Sequence, residues 1–147
     1  MHRIPTTRAP IPANLFSGES HVVPIEELLV LRDRYPNVLI SGPSSAAAAA
    51  ISDIYPLLRL PITSLRIDHR ISLPLTLTHG TLILRNVGGL TPAQQERLYD
   101  WLARTSGATQ VVATSPTSLF PQVQRGAFLD VLYYRLNMTY LEVGGLR

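Results

Sequence analysis

Two stretches of this sequence decide the fold: Gly80–Leu90, which reads GTLILRNVGGL, and Gly126–Asn137, which reads GAFLDVLYYRLN. The first begins with a short apolar run, as expected of a strand that is buried on both faces, and ends its strand-like part at Arg85-Asn86. The second begins at a glycine that interrupts a helical stretch, and it continues as a helix. Strand-like and helix-like segments alternate around these stretches, which predicts a three-layer α/β fold with a mainly parallel sheet.

The remaining elements follow from apolar runs and helix signals. The predicted strands are Val38–Ile40, Gly80–Leu84, Gln110–Ala113 and Met138–Val143, with a further β-like segment at Ile62–Leu77. The predicted helices begin at Pro24, at Ser44 or Ser45 as the N-cap, at Thr91 and at about Phe120. The start at Thr91 has the most signals, because Thr91 as N-cap and Gln94 three residues later form a capping box. We expect Gly107 to end this helix, and we expect Pro74 to place part of the β-like segment at an edge of the sheet.

Length and composition indicate one folded domain. The 147 residues suffice for a single core; we expect residues 1–13 to form a flexible arm and residues 14–147 to form the domain. The sequence has no cysteine, which excludes disulfides and thiol catalysis, and no apolar run approaches the roughly 18 residues of a membrane span. These features predict a cytoplasmic protein. The net charge of +3 comes from scattered arginines without a basic stripe, so nucleic-acid binding is not expected.

The two stretches quoted above resemble the NtrC-type AAA+ domain, the ATPase module of bacterial sigma-54-dependent transcription activators. That family typically has GTLFLDEIGDL in place of the first stretch and GxFRxDLYYRLN in place of the second. The resemblance extends over Phe16–Arg147 and implies the P-loop NTPase fold of the AAA+ type. Because the sequence ends near the point where the family continues into its helical lid, the resemblance implies the α/β subdomain without that lid.

The residues after the first strand stand in the place of the family's phosphate-binding loop. Val38–Gly42 matches the family's VLIxG, but the family's E-x-G-T-G-K-E is replaced by PSSAAAA at residues 43–49. Ala48 falls where the lysine belongs, and Ser45 and Ala47 fall where the inner glycines belong. All 13 cationic side chains of the Lys and Arg type are arginines, so no alignment supplies the lysine that reaches the β- and γ-phosphates.

The family's catalytic side chains are replaced as well. Arg85 and Asn86 stand where active relatives carry two acids, one of which helps to hold Mg²⁺ while the other orients or activates the attacking water. Ser115 aligns with the asparagine of the family's sensor position. The resemblance therefore implies a pseudo-ATPase with no catalytic residue, no metal and no cofactor. Its degenerate nucleotide-site positions are Gly42, Ser44, Ser45, Ala48, Arg85, Asn86 and Ser115.

The GAFLDVLYYRLN stretch also contains a candidate interface. The family has two arginines here that are associated with reaching the nucleotide of a neighbouring subunit; the first aligns with Leu129 and is lost, and the second aligns with Arg135. Arg135 is therefore a candidate for contact with a partner, together with Arg125 and Tyr134. The simpler interpretation is that the Tyr133–Leu136 segment only holds the last helix on the sheet.

The resemblance thus implies a catalytically inactive AAA+-like domain that acts as a protein-interaction or regulatory module linked to bacterial transcription. Its partner would be another protein, such as an intact AAA+ subunit or a transcription regulator, and alone it would be a monomer or a weak dimer. Two alternatives stay open. One is a residual ATP- or ADP-binding protein of the sigma-54 activator type, and the other is a DNA-associated regulator with salt-dependent binding.

Overall fold

The computed structural model describes residues 23–67 and 76–144 of the chain. Its helices are α1 (Ile25–Arg34), α2 (Ser44–Ile54), α3 (Pro92–Arg104), α4 (Phe120–Gln124) and α5 (Asp130–Leu136). Its strands are β1 (Val38–Ser41), β2 (Ile62–Arg66), β3 (Gly80–Arg85), β4 (Thr109–Ser115) and β5 (Thr139–Glu142). Short 3₁₀ turns lie at Tyr55–Leu57 and Val87–Gly89.

The five strands form one sheet in the order β2-β3-β4-β1-β5, and each neighbouring pair runs parallel. This confirms the predicted α/β class and sheet direction. Parallel neighbours have to be joined by crossover connections, which place helices on both faces of the sheet. Since all strands point the same way, the segments that follow β1, β3 and β4 meet at one edge of the sheet.

The sheet is the middle of three layers. On β3, Leu82 and Leu84 belong to a core that includes residues of α3 and α5, whereas Ile83 belongs to a second core with α1 and α2 on the opposite face. Trp101 anchors the first core, because its side chain is only 1% exposed and its Nε1 donates to the carbonyl of Leu77 at 2.9 Å. The alternation along β3 confirms the strand predicted for this stretch.

The start of α2 differs from the predicted one. Pro43 is the N-cap, with φ −56° and ψ 150°, and its carbonyl accepts the first hydrogen bond of the helix from the Ala47 N–H at 2.9 Å. Ser44 and Ser45 already belong to the first turn, and neither caps the helix through its side chain. The prediction of a serine cap is wrong because the fixed φ of proline leads the chain into the helix directly.

The start of α3 agrees with the predicted one. Thr91 Oγ1 accepts from the Gln94 N–H at 3.1 Å, and Gln94 Oε1 accepts from the Thr91 N–H at 2.8 Å, which completes the capping box. The helix ends at Arg104, slightly earlier than expected. Gly107 lies in the turn that follows, where its φ of +89° requires glycine rather than a residue with a side chain.

The helical break at Gly126 is also confirmed. Gly126 has φ +78° and lies between α4 and α5. The Gln122 carbonyl closes the turn by accepting from the N–H groups of both Ala127 and Phe128, at 2.8 and 3.2 Å. The chain can therefore change direction after α4 and bring α5 back against the sheet.

Several predictions fall wholly or partly outside the described residues. The flexible arm at residues 1–13 lies there, as do residues 68–75 in the second half of the β-like segment, including Pro74. The first half of that segment is β2, and it is an edge strand. In the described ranges, no helix is long and apolar enough to cross a membrane.

Candidate functional site

The carboxyl ends of the strands surround a cavity of about 520 Å³, which we call the carboxyl-end cavity. All seven degenerate nucleotide-site positions predicted from the sequence line it: Gly42, Ser44, Ser45, Ala48, Arg85, Asn86 and Ser115. They come from the turn after β1, the first turns of α2 and the ends of β3 and β4. Arg66, the last residue of β2, lines the same cavity and is a site residue that the sequence analysis missed.

The segment in the place of the phosphate-binding loop is helical. Such a loop functions by presenting a series of backbone N–H groups to the phosphates. Here the N–H of Ala47 already donates to the N-cap carbonyl, so only Ser44, Ser45 and Ala46 precede the first intrahelical donor of α2. Ala48, in the place of the lysine, is an exposed residue of the same helix. The cavity therefore meets one helix terminus and not a loop that wraps around a ligand.

Gly42 is explained by packing against Val143, which directly follows β5. Its φ is +150°, and a Cβ at this position would collide with the carbonyl oxygen of Val143. A Cβ on Gly144 would lie 2.7 Å from the Cβ of Ala46, and the Gly42 N–H donates to the Ser115 carbonyl at 3.0 Å. The turn after β1 is thus held tightly by protein atoms, which accounts for this glycine without any phosphate contact.

Two arginines dominate the electrostatics of the carboxyl-end cavity. Arg66 and Arg85 are register partners at the ends of β2 and β3, and both are exposed. No aspartate or glutamate is among the described residues that line the cavity. The N-terminus of α2 adds roughly half a positive charge from its aligned peptide dipoles. The resulting positive potential repels Mg²⁺ and attracts anions.

Asn86 and Ser115, at the ends of β3 and β4, each make a hydrogen bond to a nearby part of the protein. Asn86 has left-handed dihedrals, φ 65° and ψ 53°, which asparagine tolerates better than most residues. Its backbone N–H donates to Thr114 Oγ1 at 3.2 Å and so joins the turn after β3 to β4. Ser115 is 2% exposed, and its hydroxyl donates to the Thr117 carbonyl. Neither side chain is a base that could activate an attacking water.

The three candidate interface residues do not line one surface. Tyr134 is 62% exposed and lines a groove between α4 and α5, and Arg125, just after α4, is exposed as well. Arg135 is half-buried and lines a different cavity; its guanidinium carbon lies 5.6 Å from the centre of the Tyr99 ring on α3. This contact between α5 and α3 is what the simpler interpretation of the segment expects.

Tyr133 packs the same helix onto the body of the domain. Its side chain is 8% exposed and lies between Phe120 and Tyr134, with ring centres 6.0 and 5.2 Å away. Burial raises the pKa of the Tyr133 hydroxyl above its ordinary value, and the nearby Tyr140 and Tyr134 raise that pKa further. The phenol therefore stays neutral through the whole physiological range, as a packing role requires.

The sheet order, the helices on both faces and the cavity at the carboxyl ends of the strands define an α/β domain of the P-loop NTPase class. Residues 30–146 match the family model of the sigma-54 interaction domain. The chain belongs to this family, which makes it an NtrC-type AAA+ domain, and the resemblance inferred from the two sequence stretches is confirmed.

Solved structures share this fold at low sequence identity. The P-loop NTPase domain of a sigma-54 transport activator from E. coli aligns with a TM-score of 0.65 and 18% identity, over 84% of this chain and 93% of that chain. NtrX from Brucella abortus in complex with ADP aligns with a TM-score of 0.63 and 15% identity, over 81% of this chain and 34% of that chain. The T158V variant of RuvB from Thermotoga maritima has a TM-score of 0.54 and 17% identity, over 80% and 43%.

Sequence identities this low show that the fold is shared and nothing more. This chain spans about a third of the length of NtrX. A search of the curated proteins found no match.

Proposed function

We propose that this domain is a catalytically inactive relative of the sigma-54 activator ATPases, and that it acts as a protein-interaction or regulatory module in bacterial transcription. The observation that supports this most directly is the pair Arg66 and Arg85 at the carboxyl-end cavity. Hydrolysis of ATP needs Mg²⁺ to bridge the phosphates and to neutralise the charge that develops on them. Two guanidinium groups, a helix N-terminus and no carboxylate among the described lining residues oppose the binding of that ion.

Measurements with Mg·ATP test this proposal. We expect no steady-state turnover above the buffer rate, and isothermal titration calorimetry should detect no binding in the micromolar range. The controls are Arg85→Gln and Ser44→Ala, which separate activity of this site from activity of a contaminating ATPase. A turnover that both substitutions abolish would overturn the proposal.

A second candidate function is residual binding of ATP or ADP. The observation that favours it is the open cavity of about 520 Å³, which the side chains of Ser44, Ser45 and Arg85 line. The fold is also that of NtrX, whose structures contain ADP or ATP. Titration with ADP in EDTA and again in Mg²⁺ distinguishes the two functions. Residual nucleotide binding requires a signal that weakens in Arg85→Gln, whereas an interaction module without nucleotide requires that no part of the signal depend on Arg85.

The proposed interaction surface is the α4–α5 face. Phe120, Val131 and Tyr134 are 43, 47 and 62% exposed there, and Arg125 lies between the two helices. Exposed aromatic side chains with a neighbouring arginine are typical of the residues that contribute most to protein interfaces. We propose that the partner is another protein, either an intact AAA+ subunit or a transcription regulator, because α5 belongs to the region by which the family's subunits approach one another.

A matched pair of substitutions tests this surface. Tyr134→Asp should weaken binding of a purified intact NtrC-type AAA+ domain by about tenfold or more, since residues at the centre of an interface contribute about 2 kcal/mol or more. Met138→Asp is the control. Met138 is equally exposed, at 61%, but it lines the same cavity as Arg135 and not the groove between α4 and α5. Equal losses in both variants, or a loss in Met138→Asp alone, would exclude the α4–α5 face.

A further inference from the structure

A second cavity lies at the amino ends of the strands, on the side of the sheet opposite to the carboxyl-end cavity. We call it the amino-end cavity. Its volume is about 430 Å³, and its lining includes Asn37, just before β1, and Thr109, the first residue of β4. Three arginines line it as well: Arg34, Arg59 and Arg135. The described part of its wall contains no aspartate or glutamate, so three positive charges share one small volume.

Aromatic rings and backbone hydrogen bonds hold two of these arginines in place. The guanidinium carbon of Arg59 lies 4.4 Å from the centre of the Tyr35 ring, and that of Arg135 lies 5.6 Å from the centre of the Tyr99 ring. The backbone N–H of Arg59 donates to the side-chain oxygen Oε1 of the buried Gln110 at 3.1 Å. Groups that are already positioned lose less conformational freedom when a ligand binds.

Arg59 also has a donor for which no described residue provides an acceptor. Its Nε is buried and has no hydrogen-bond partner among the described residues. A buried donor without an acceptor is unfavourable, and protein interiors rarely leave one in that state. A ligand oxygen that displaced the atoms covering Nε would remove this deficit.

Nearby helix C-termini account for only part of the positive charge of the amino-end cavity. Arg34 and Arg135 lie in the last turns of α1 and α5, where a cation interacts favourably with the free carbonyl groups. Arg59 follows a 3₁₀ turn and not an α-helix, so this explanation does not apply to it. Each helix terminus carries only about half a negative charge. The three full charges therefore leave the cavity positive.

We propose that the amino-end cavity binds a small phosphorylated molecule. A guanidinium group can donate two parallel hydrogen bonds to two oxygens of one phosphate. A ligand with a single carbonyl or hydroxyl oxygen cannot accept both bonds in this way. Leu102 and Met138 contribute apolar wall for the carbon part of the ligand. A volume of about 430 Å³ fits a small-molecule site. This binding is independent of the proposed function, since the two cavities lie at opposite edges of the sheet.

Calorimetric titration with inorganic pyrophosphate in metal-free, low-salt buffer tests the site. We expect binding with a dissociation constant of about 1 mM or tighter and a marked weakening with added salt. Arg59→Gln should weaken binding about tenfold or more, because it removes a charged donor with a defined geometry. Arg34→Gln should weaken binding as well; Arg34 is exposed, so this second variant reports on the site even if Arg59→Gln perturbs folding.

Arg97→Gln is the matched control, because it removes one positive charge at an exposed position of α3 that lines neither cavity. We expect it to leave pyrophosphate affinity unchanged. Three results would overturn the inference: no binding by the unaltered protein, weakening by Arg85→Gln instead of Arg59→Gln, or tighter binding of a glutamate oligomer than of pyrophosphate with the same dependence on Arg59. The last result would identify the cavity as a site for an acidic peptide.

Discussion

Replacing Gln95 with leucine should destabilise the domain more than the same substitution at an exposed position of the same helix. Gln95 is 2% exposed and connects α3 to the segment between α4 and α5. Its Nε2 donates to the carbonyls of Leu90 and Ala127 at 3.1 and 3.2 Å, and its Oε1 accepts from the Leu129 N–H at 2.8 Å. Leucine has a similar volume but cannot make any of these three bonds.

The size of the effect follows from where the three orphaned groups lie. The Leu90 carbonyl belongs to a residue that is 4% exposed, so its desolvation is uncompensated and costs about 1–3 kcal/mol. Ala127 is exposed and Leu129 half-buried, so water replaces part of those two bonds, with a loss of about 0.5–1.5 kcal/mol each. The apolar leucine recovers a fraction of this total. We expect Gln95→Leu to lower the free energy of unfolding by about 2–4 kcal/mol.

Urea unfolding measures this loss through the midpoint, at an unchanged slope. The control is Glu96→Leu, the next and exposed position of α3, which should stay within about 0.5 kcal/mol of the unaltered protein. Amide exchange should accelerate at Leu129 before it does elsewhere, because that N–H loses its acceptor directly. A loss below about 0.5 kcal/mol for Gln95→Leu would mean that these bonds do not hold the α4–α5 segment.

Four further outcomes are expected. Leu84→Ala should lower the free energy of unfolding by about 2–5 kcal/mol, because Leu84 is fully buried between paired strands. Leu60→Ala, at a 74% exposed position, should change the free energy of unfolding little. Equal urea midpoints for the two variants would contradict the core assignment. Stability should fall as the pH rises past about 10, because the raised pKa of Tyr133 makes the folded state keep a proton that the unfolded state loses. In alkaline denaturation, Tyr133→Phe should reduce this fall more than Tyr134→Phe, which removes only one of the causes of the raised pKa. Arg85→Asp should not produce ATP turnover, because α2 still occupies the place of the phosphate-binding loop, and any Mg²⁺-dependent turnover would refute that reason. Light scattering at micromolar concentration should show a monomer or a weak dimer, and a stable ligand-free hexamer would contradict this.

Features that depend on neighbours in the sequence were predictable, and features that depend on distant partners were not. The capping box at Thr91 and the buried strand at Gly80–Leu84 are local patterns, and both are confirmed. Arg66 was missed because the β-like pattern continued past it, which placed it inside a strand instead of at the end of one. Gln95 lies one turn before Leu98 on the buried face of α3, so its position was readable. Two of its three hydrogen-bond partners, Ala127 and Leu129, lie far along the chain and could not be predicted.

The same distinction explains which part of the candidate site the sequence could describe. The resemblance placed seven positions at one site, and the parallel sheet brings all seven to one cavity. The start of α2 at Ser44 depends partly on Pro43, which the sequence shows, and partly on the close packing of Gly144 against Ala46 and Pro43, which it does not show. The resemblance also could not separate Arg135 from Tyr134, which requires knowing that α3 lies beside one side of α5.

The altered loop and the altered strand ends act on the carboxyl-end cavity in the same direction. A helix that starts at Ser44 directs its positive end at the cavity, and Arg66 and Arg85 add two charges of the same sign. Carboxylates at the ends of these strands would be attracted by that helix end, whereas the two exposed arginines are repelled by it. Under the proposed function, a single acid at one strand end is therefore not expected to create a magnesium site. An acid at position 85 would still face Arg66, its register partner, and would pair with that guanidinium in preference to a metal ion.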